Sequence, residues 1–125
     1  MKAIATDKAP KAVGPYSQAV QLGDILFCSG MIPLDPATGQ MVGSDIQSQT
    51  KQVMSNITAL LGSQGLDLSK IVKTTVFLQN MSDFVTFNEI YASHLKAPYP
   101  ARSTVEVSAL PKGALVEIEC LVSLK

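Results

Sequence analysis

Apolar and polar positions alternate with two different periods along this chain, and the switches between them outline its elements. Near the C-terminus Val116, Ile118, Cys120, Val122 and Leu124 alternate with Glu117, Glu119 and Ser123. A period of two marks a strand with one buried face, here predicted over residues 115–124. A preceding strand is predicted over 102–107, after a Pro-rich stretch and before the turn Pro111-Lys112-Gly113. Ala19–Leu22 and residues 25–29 are short apolar runs split by Gly23-Asp24, a dipeptide suited to a hairpin turn. Residues 71–78, IVKTTVFL, are dense in β-branched side chains and read as a further strand.

The 3.6-residue period appears twice. Ile46, Thr50, Val53, Ile57, Leu60 and Leu61 recur on one helical face. Ser44 and Gln47 have capping-box spacing before that run, and Gly65 is its expected stop. Ser82 is the expected cap of a second helix, with Phe84, Phe87, Tyr91 and Leu95 as its apolar stripe and Pro98 and Pro100 as terminators. The loop over 30–43, with two prolines and three glycines, is long enough to suggest a function or a packed surface. The resulting order, β-β-α-β-α-β-β, predicts an α/β fold: a two-layer sandwich with one mixed sheet and both helices on one face. The other sheet face retains apolar residues, and a partner subunit is its expected cover.

A chain of 125 residues predicts one domain, over 1–125. Charged residues are only 16 % of it, against ~25 % in an ordinary globular protein, which again points to buried subunit contacts. Ten basic residues balance ten acidic ones with no basic run, so neither nucleic acid nor a membrane surface is an expected partner. The apolar runs are too short to span a bilayer and the N-terminus lacks a signal-peptide core, so a cytoplasmic location is expected. Cys28 and Cys120 lie in apolar strands and read as buried thiols. With one histidine, His94, neither a zinc ligand set nor a Ser-His-Asp system is supported, and no metal or cofactor is expected. Glycine-rich phosphate loops and the zinc deaminase signature are absent as well.

What chemistry remains centres on Arg102 and Glu117. An arginine fork donates two parallel hydrogen bonds to a carboxylate, and a glutamate can orient or activate water. If the turn at Pro111–Gly113 pairs their strands, the two side chains lie side by side above one cleft. The competing reading is a cross-strand Arg–Glu pair on an exposed face, worth little. Tyr16 as a packing aromatic, Ser29 as a backbone-capping hydroxyl and Asn88 as a solvated helix residue are the corresponding ordinary readings.

Four separated segments, Gly14-Pro15-Tyr16-Ser17-Gln18-Ala19, Cys28-Ser29-Gly30-Met31-Ile32-Pro33, Pro100-Ala101-Arg102-Ser103 and Val116-Glu117-Ile118-Glu119, resemble the RidA/YjgF family of reactive-intermediate deaminases. The resemblance runs from about Ala9 to the C-terminus. It implies a chorismate-mutase-like fold, a homotrimer with clefts between subunits, and hydrolysis of 2-imino acids such as 2-iminobutanoate and 2-iminopropanoate to 2-oxo acids and ammonia. Carried over by position, Arg102 clamps the substrate carboxylate and Glu117 holds the attacking water. Tyr16 and Ser29 line the cleft and donate hydrogen bonds, Gly30 contributes backbone groups, and Asn88 is a polar position on the second helix. Thr104 stands where many deaminases of the family have cysteine, and it offers a hydroxyl and a backbone amide. The rival functions are a non-catalytic binder of small carboxylates and a ribonuclease, the latter disfavoured by zero net charge and the lack of an aromatic platform for RNA.

Overall fold

The computed structural model describes residues 1–125. Six strands form one mixed sheet: β1 (Lys2–Ile4), β2 (Ala19–Leu22), β3 (Ile25–Met31), β4 (Ile71–Leu78), β5 (Ala101–Glu106) and β6 (Val116–Ser123). Two helices, α1 (Ile46–Gly62) and α2 (Phe84–Ser93), pack together and against one face of that sheet. Their buried stripes meet the inward residues of β3, β4 and β6 in a single apolar cluster that includes Leu26, Val53, Leu60, Val76, Phe87, Ile118 and Val122. The predicted two-layer α/β arrangement is therefore present, with a strand, β1, that the sequence pattern did not indicate. Three residues paired to β2 are too short to show a period.

The strand order, β1-β2-β3-β6-β4-β5, corrects the predicted pairing of the last two strands. β5 pairs in parallel with β4, Arg102 opposite Thr74, and β6 is inserted between β3 and β4, antiparallel to both. The physical reason lies in the connections. The β4–α2–β5 unit is a crossover that returns the chain parallel to its start. The segment from Glu106 to Val116 is too long for a tight hairpin and carries the chain past β4. β6, whose Val116, Ile118 and Val122 are essentially inaccessible, takes the central position.

Local signals moved by a residue or more. Asp45, not Ser44, caps α1, its carboxylate accepting from Ser48 N at 2.7 Å. The helix ends at Gly62, and Gly65, at φ +72°, forms the turn that follows. Ser82 lies inside a 3₁₀ turn over Met81–Asp83 that leads into α2 and caps nothing. The Gly23-Asp24 hairpin forms as expected between β2 and β3. Cys28 and Cys120 sit opposite each other in the β3–β6 ladder, buried and unbonded. His94 follows α2 and bonds back to the carbonyl of Ile90 at 2.9 Å through Nδ1.

Two features build the ground for the site. The β3–β6 register slips between Cys28 and Met31, so β3 carries one extra residue there. This bulge lets Cys28 and Met31 both face the core although they are three apart. It also turns Ser29 and Gly30 toward the outward side of β6. The segment before β2 is held by Gln18, buried, whose Oε1 accepts from Thr6 N at 2.7 Å and whose Nε2 donates to the carbonyls of Thr6, Ala9 and Pro10.

Candidate functional site

The sheet places the candidate residues in two groups, on opposite faces. Val116, Ile118 and Cys120 of β6 point to the helices, so Glu117 and Glu119 point away from them. Arg102 and Thr104 of β5 point to the helix side, where they meet α2. Between Arg102 and Glu117 lie the whole of β4, roughly 10 Å of lateral spacing, and the thickness of the sheet. The expectation that both face one cleft is thus overturned within a chain: a residue on each face cannot bracket one small molecule.

The Arg102 group is tightly built. Phe84, Asn88 and Tyr91 recur at i, i+4 and i+7 on α2 and present one continuous face. The Arg102 guanidinium lies over it, 5.5 Å from the Phe84 ring centroid and 5.0 Å from that of Tyr91. Its Nη1 donates to Asn88 Oδ1 at 2.6 Å. Asn88 is therefore bonded rather than merely solvated. No carboxylate of the chain pairs with Arg102; the one ion pair present is Lys125 with Asp24, at 3.2 Å. The exposed Arg–Glu pair is excluded, and the fork keeps donors for another acceptor. Thr104, two residues on, shares a shallow depression with Arg102, Met81, Ser82, Phe84 and Val85. Its Oγ1 is buried with no partner. Such a hydroxyl costs about 1–3 kcal/mol until something bonds to it.

Tyr91 is in turn fixed from behind. Its phenol shares a hydrogen bond of 2.8 Å with Thr74 Oγ1 on β4, and its ring packs on Phe87 at 5.4 Å between centroids. Burial pushes that phenol above the ordinary tyrosine range and keeps it neutral. By spacing alone Phe84 and Tyr91 belong to the apolar stripe of α2. The signal that could have separated them was Asn88, a polar residue inside that stripe.

The Glu117 group is open and made largely of loops. A cleft of about 560 Å³ is lined by Glu117 and Glu119 from β6, Ser29 and Gly30 from the β3 bulge, Tyr16 from the segment ahead of β2, and Lys112 from the turn before β6. Gly30 matters through what it lacks. A Cβ there would lie 2.8 Å from Glu117 Cδ, closer than carbon atoms pack, so only glycine leaves the carboxylate its place. Glu117 is held above the ordinary carboxylate range, by burial first and by Glu119 second. It has no cation paired to it. Ser29 donates its hydroxyl to the carbonyl of Ser17 at 2.6 Å, as a backbone-capping serine does, and offers the cleft its lone pairs. Tyr16 is 53 % exposed, and its hydroxyl accepts from Val13 N at 3.4 Å, which leaves its own proton for the cleft. No three His, Cys, Asp or Glu side chains converge anywhere in the chain.

Comparison with known proteins gives this arrangement a context. The family model described as endoribonuclease L-PSP matches residues 6–124. The chloroplastic Reactive Intermediate Deaminase A of Arabidopsis thaliana is 48 % identical over 121 residues, which cover 97 % of this chain and 65 % of that one. Among solved structures, the Rid-family protein YyfA from Yersinia pestis superposes with a TM-score of 0.94 at 53 % identity, covering 98 % of both chains. E. coli TdcF with bound serine gives 0.91 at 41 %, again with 98 % of each covered. The family model spans nearly the whole chain and the fold agrees, so this chain belongs to the endoribonuclease L-PSP family of RidA/YjgF proteins.

Proposed function

We propose that the protein hydrolyses 2-imino acids, 2-iminobutanoate and 2-iminopropanoate among them, to 2-oxo acids and ammonia, at sites shared between copies of the chain. Arg102, Asn88 and Thr104 of one copy form the carboxylate-binding half, and Glu117, Tyr16, Ser29 and Gly30 of another form the hydrolytic half. The observation that carries this reading is the complementary deficit of the two groups: a cation without a carboxylate and a carboxylate without a cation, on opposite faces of one sheet. A trimer closes such face-to-face contacts into a ring. Serine bound by TdcF, a small amino acid with the same α-carboxylate, and the deaminase name of the Arabidopsis relative support the substrate class.

The chemistry asks little beyond orientation and a base. Arg102 and the Thr104 hydroxyl bind the substrate carboxylate and fix C2. Water held by Glu117 attacks C2 while the carboxylate takes its proton. The carbinolamine formed from the protonated imine receives that proton on nitrogen; the C–N bond then breaks as the hydroxyl proton passes to the freed Glu117 carboxylate, and ammonia leaves a 2-oxo acid. Burial suits Glu117 to this exchange, because a carboxylate above its ordinary range is a stronger base.

The test is ammonia release from 2-iminobutanoate generated in the cuvette by an amino-acid oxidase. The protein should accelerate release well beyond buffer. Binding of 2-oxobutanoate without any acceleration would replace the enzyme with a carboxylate-binding module.

A further inference from the structure

The α2 face beneath Arg102 does more than fill the core. A free arginine side chain samples many rotamers, and ordering it costs up to ~2 kcal/mol. Here the stem crosses from the edge strand β5 to α2, and the guanidinium rests against two rings with one donor on Asn88. Tyr91 cannot drift, because Thr74 holds its hydroxyl and Phe87 backs its ring. Phe84 is partly buried and packs on the core cluster, so it too has a fixed seat. The rings exclude water from one side of the cation and attract it through their π faces, but carry no net charge to neutralise it.

We propose that Phe84 and Tyr91 are positioning residues, an aromatic slot that pre-orders the Arg102 fork and aims its remaining N–H groups at the substrate carboxylate. The slot rests on the reading of Arg102 as a carboxylate clamp. It acts in binding: ground state and transition state carry the same carboxylate, so loosening the fork raises KM and leaves kcat nearly unchanged. It also ties the clamp to arginine, because a planar guanidinium stacks on a ring while its edge stays free for two parallel bonds, and an ammonium does not.

The test is a double-mutant cycle on 2-oxobutanoate binding, read by calorimetry, with kcat and KM for 2-iminobutanoate alongside. Phe84→Leu keeps a bulky apolar side chain and removes the ring. It should weaken binding about 5–10-fold and raise KM in proportion, with kcat within about twofold. Combined with Arg102→Ala, it should cost no further affinity, since there is no fork left to order. Tyr91→Phe retains the ring and should bind within about threefold of wild type, while Tyr91→Leu should match Phe84→Leu. Thermal denaturation of each variant identifies any that does not fold, and Phe84→Met then replaces Phe84→Leu. Wild-type affinity in Phe84→Leu and Tyr91→Leu would overturn the slot, and so would an equal loss with and without Arg102. A different result, wild-type affinity in Arg102→Ala alone, would instead overturn the clamp.

Discussion

The two halves of the proposed site are built on opposite principles. Around Arg102 most groups are bonded or stacked: Asn88, Phe84 and Tyr91 hold the guanidinium, and Thr74 and Phe87 hold Tyr91. Around Glu117 loops close a cleft floored by β3 and β6, the carboxylate has no cation, and its ionised form is disfavoured by burial. The first half is satisfied except where a ligand would complete it, at the open fork and the Thr104 hydroxyl. The second stores an unfavourable charge where a proton is to be taken up. Binding gains from pre-ordering, whereas proton transfer gains from a base that is poorly solvated.

The largest effect that separates the halves is Glu117→Gln. The amide keeps the shape and removes the base, so turnover should fall by about 10²–10⁴ while 2-oxobutanoate affinity stays within about threefold. Thermal stability should move the other way. A carboxyl raised in the fold lends stability below its unfolded pKa and loses it as pH rises through the folded value. Glutamine does not ionise, so Glu117→Gln should melt no lower than wild type at pH 7. Undiminished ammonia release would make Glu117 structural.

Gly30→Ala attacks the same half from behind. The added Cβ must displace the Glu117 carboxylate, and a misplacement of ~1 Å can cost about 10² in rate. We expect kcat to fall by ~10–100-fold with ligand affinity preserved, and unchanged kcat would show the carboxylate free to move without loss. Arg102→Lys is the converse test. Charge is kept and the two-pronged geometry lost, so 2-oxobutanoate should bind at least tenfold more weakly, about 1.5–3 kcal/mol, with an unchanged melting temperature. Equal affinity by calorimetry would refute the clamp.

The smallest effect is on the pH profile. In the proposed mechanism Glu117 acts ionised, so kcat/KM should fall on the acid side at a pH raised above that of an unperturbed glutamate. Glu119→Gln removes the second cause of the shift and should move that limb toward acid. A limb that stays in place would leave burial as the whole cause.

Much of this was legible in the chain. Period two in β6 separated Glu117 from the core face, and the four motifs named the family. Topology was not: residues 102–107 and 115–124 read as consecutive strands, and nothing local says that β6 passes β4 to reach the centre of the sheet. That choice is made by the burial of Val116, Ile118 and Val122 on a surface only the folded chain provides. The bulge at Ser29 and Gly30 was hidden for the same reason, since it is a mismatch between two strands and appears in neither alone. Phe84 and Tyr91 have an ordinary apolar spacing, and their service to Arg102 depends on the parallel register that brings β5 beside β4.

In the proposed site the two halves are supplied by different copies, and mixing two dead variants tests that directly. Arg102→Ala and Glu117→Gln chains, each inactive alone, should regain ammonia release when unfolded and refolded together. Random mixing into closed trimers should leave one intact site in each mixed ring, roughly a quarter of the wild-type activity overall. Activity no greater than that of the two separate variants would contradict the shared site.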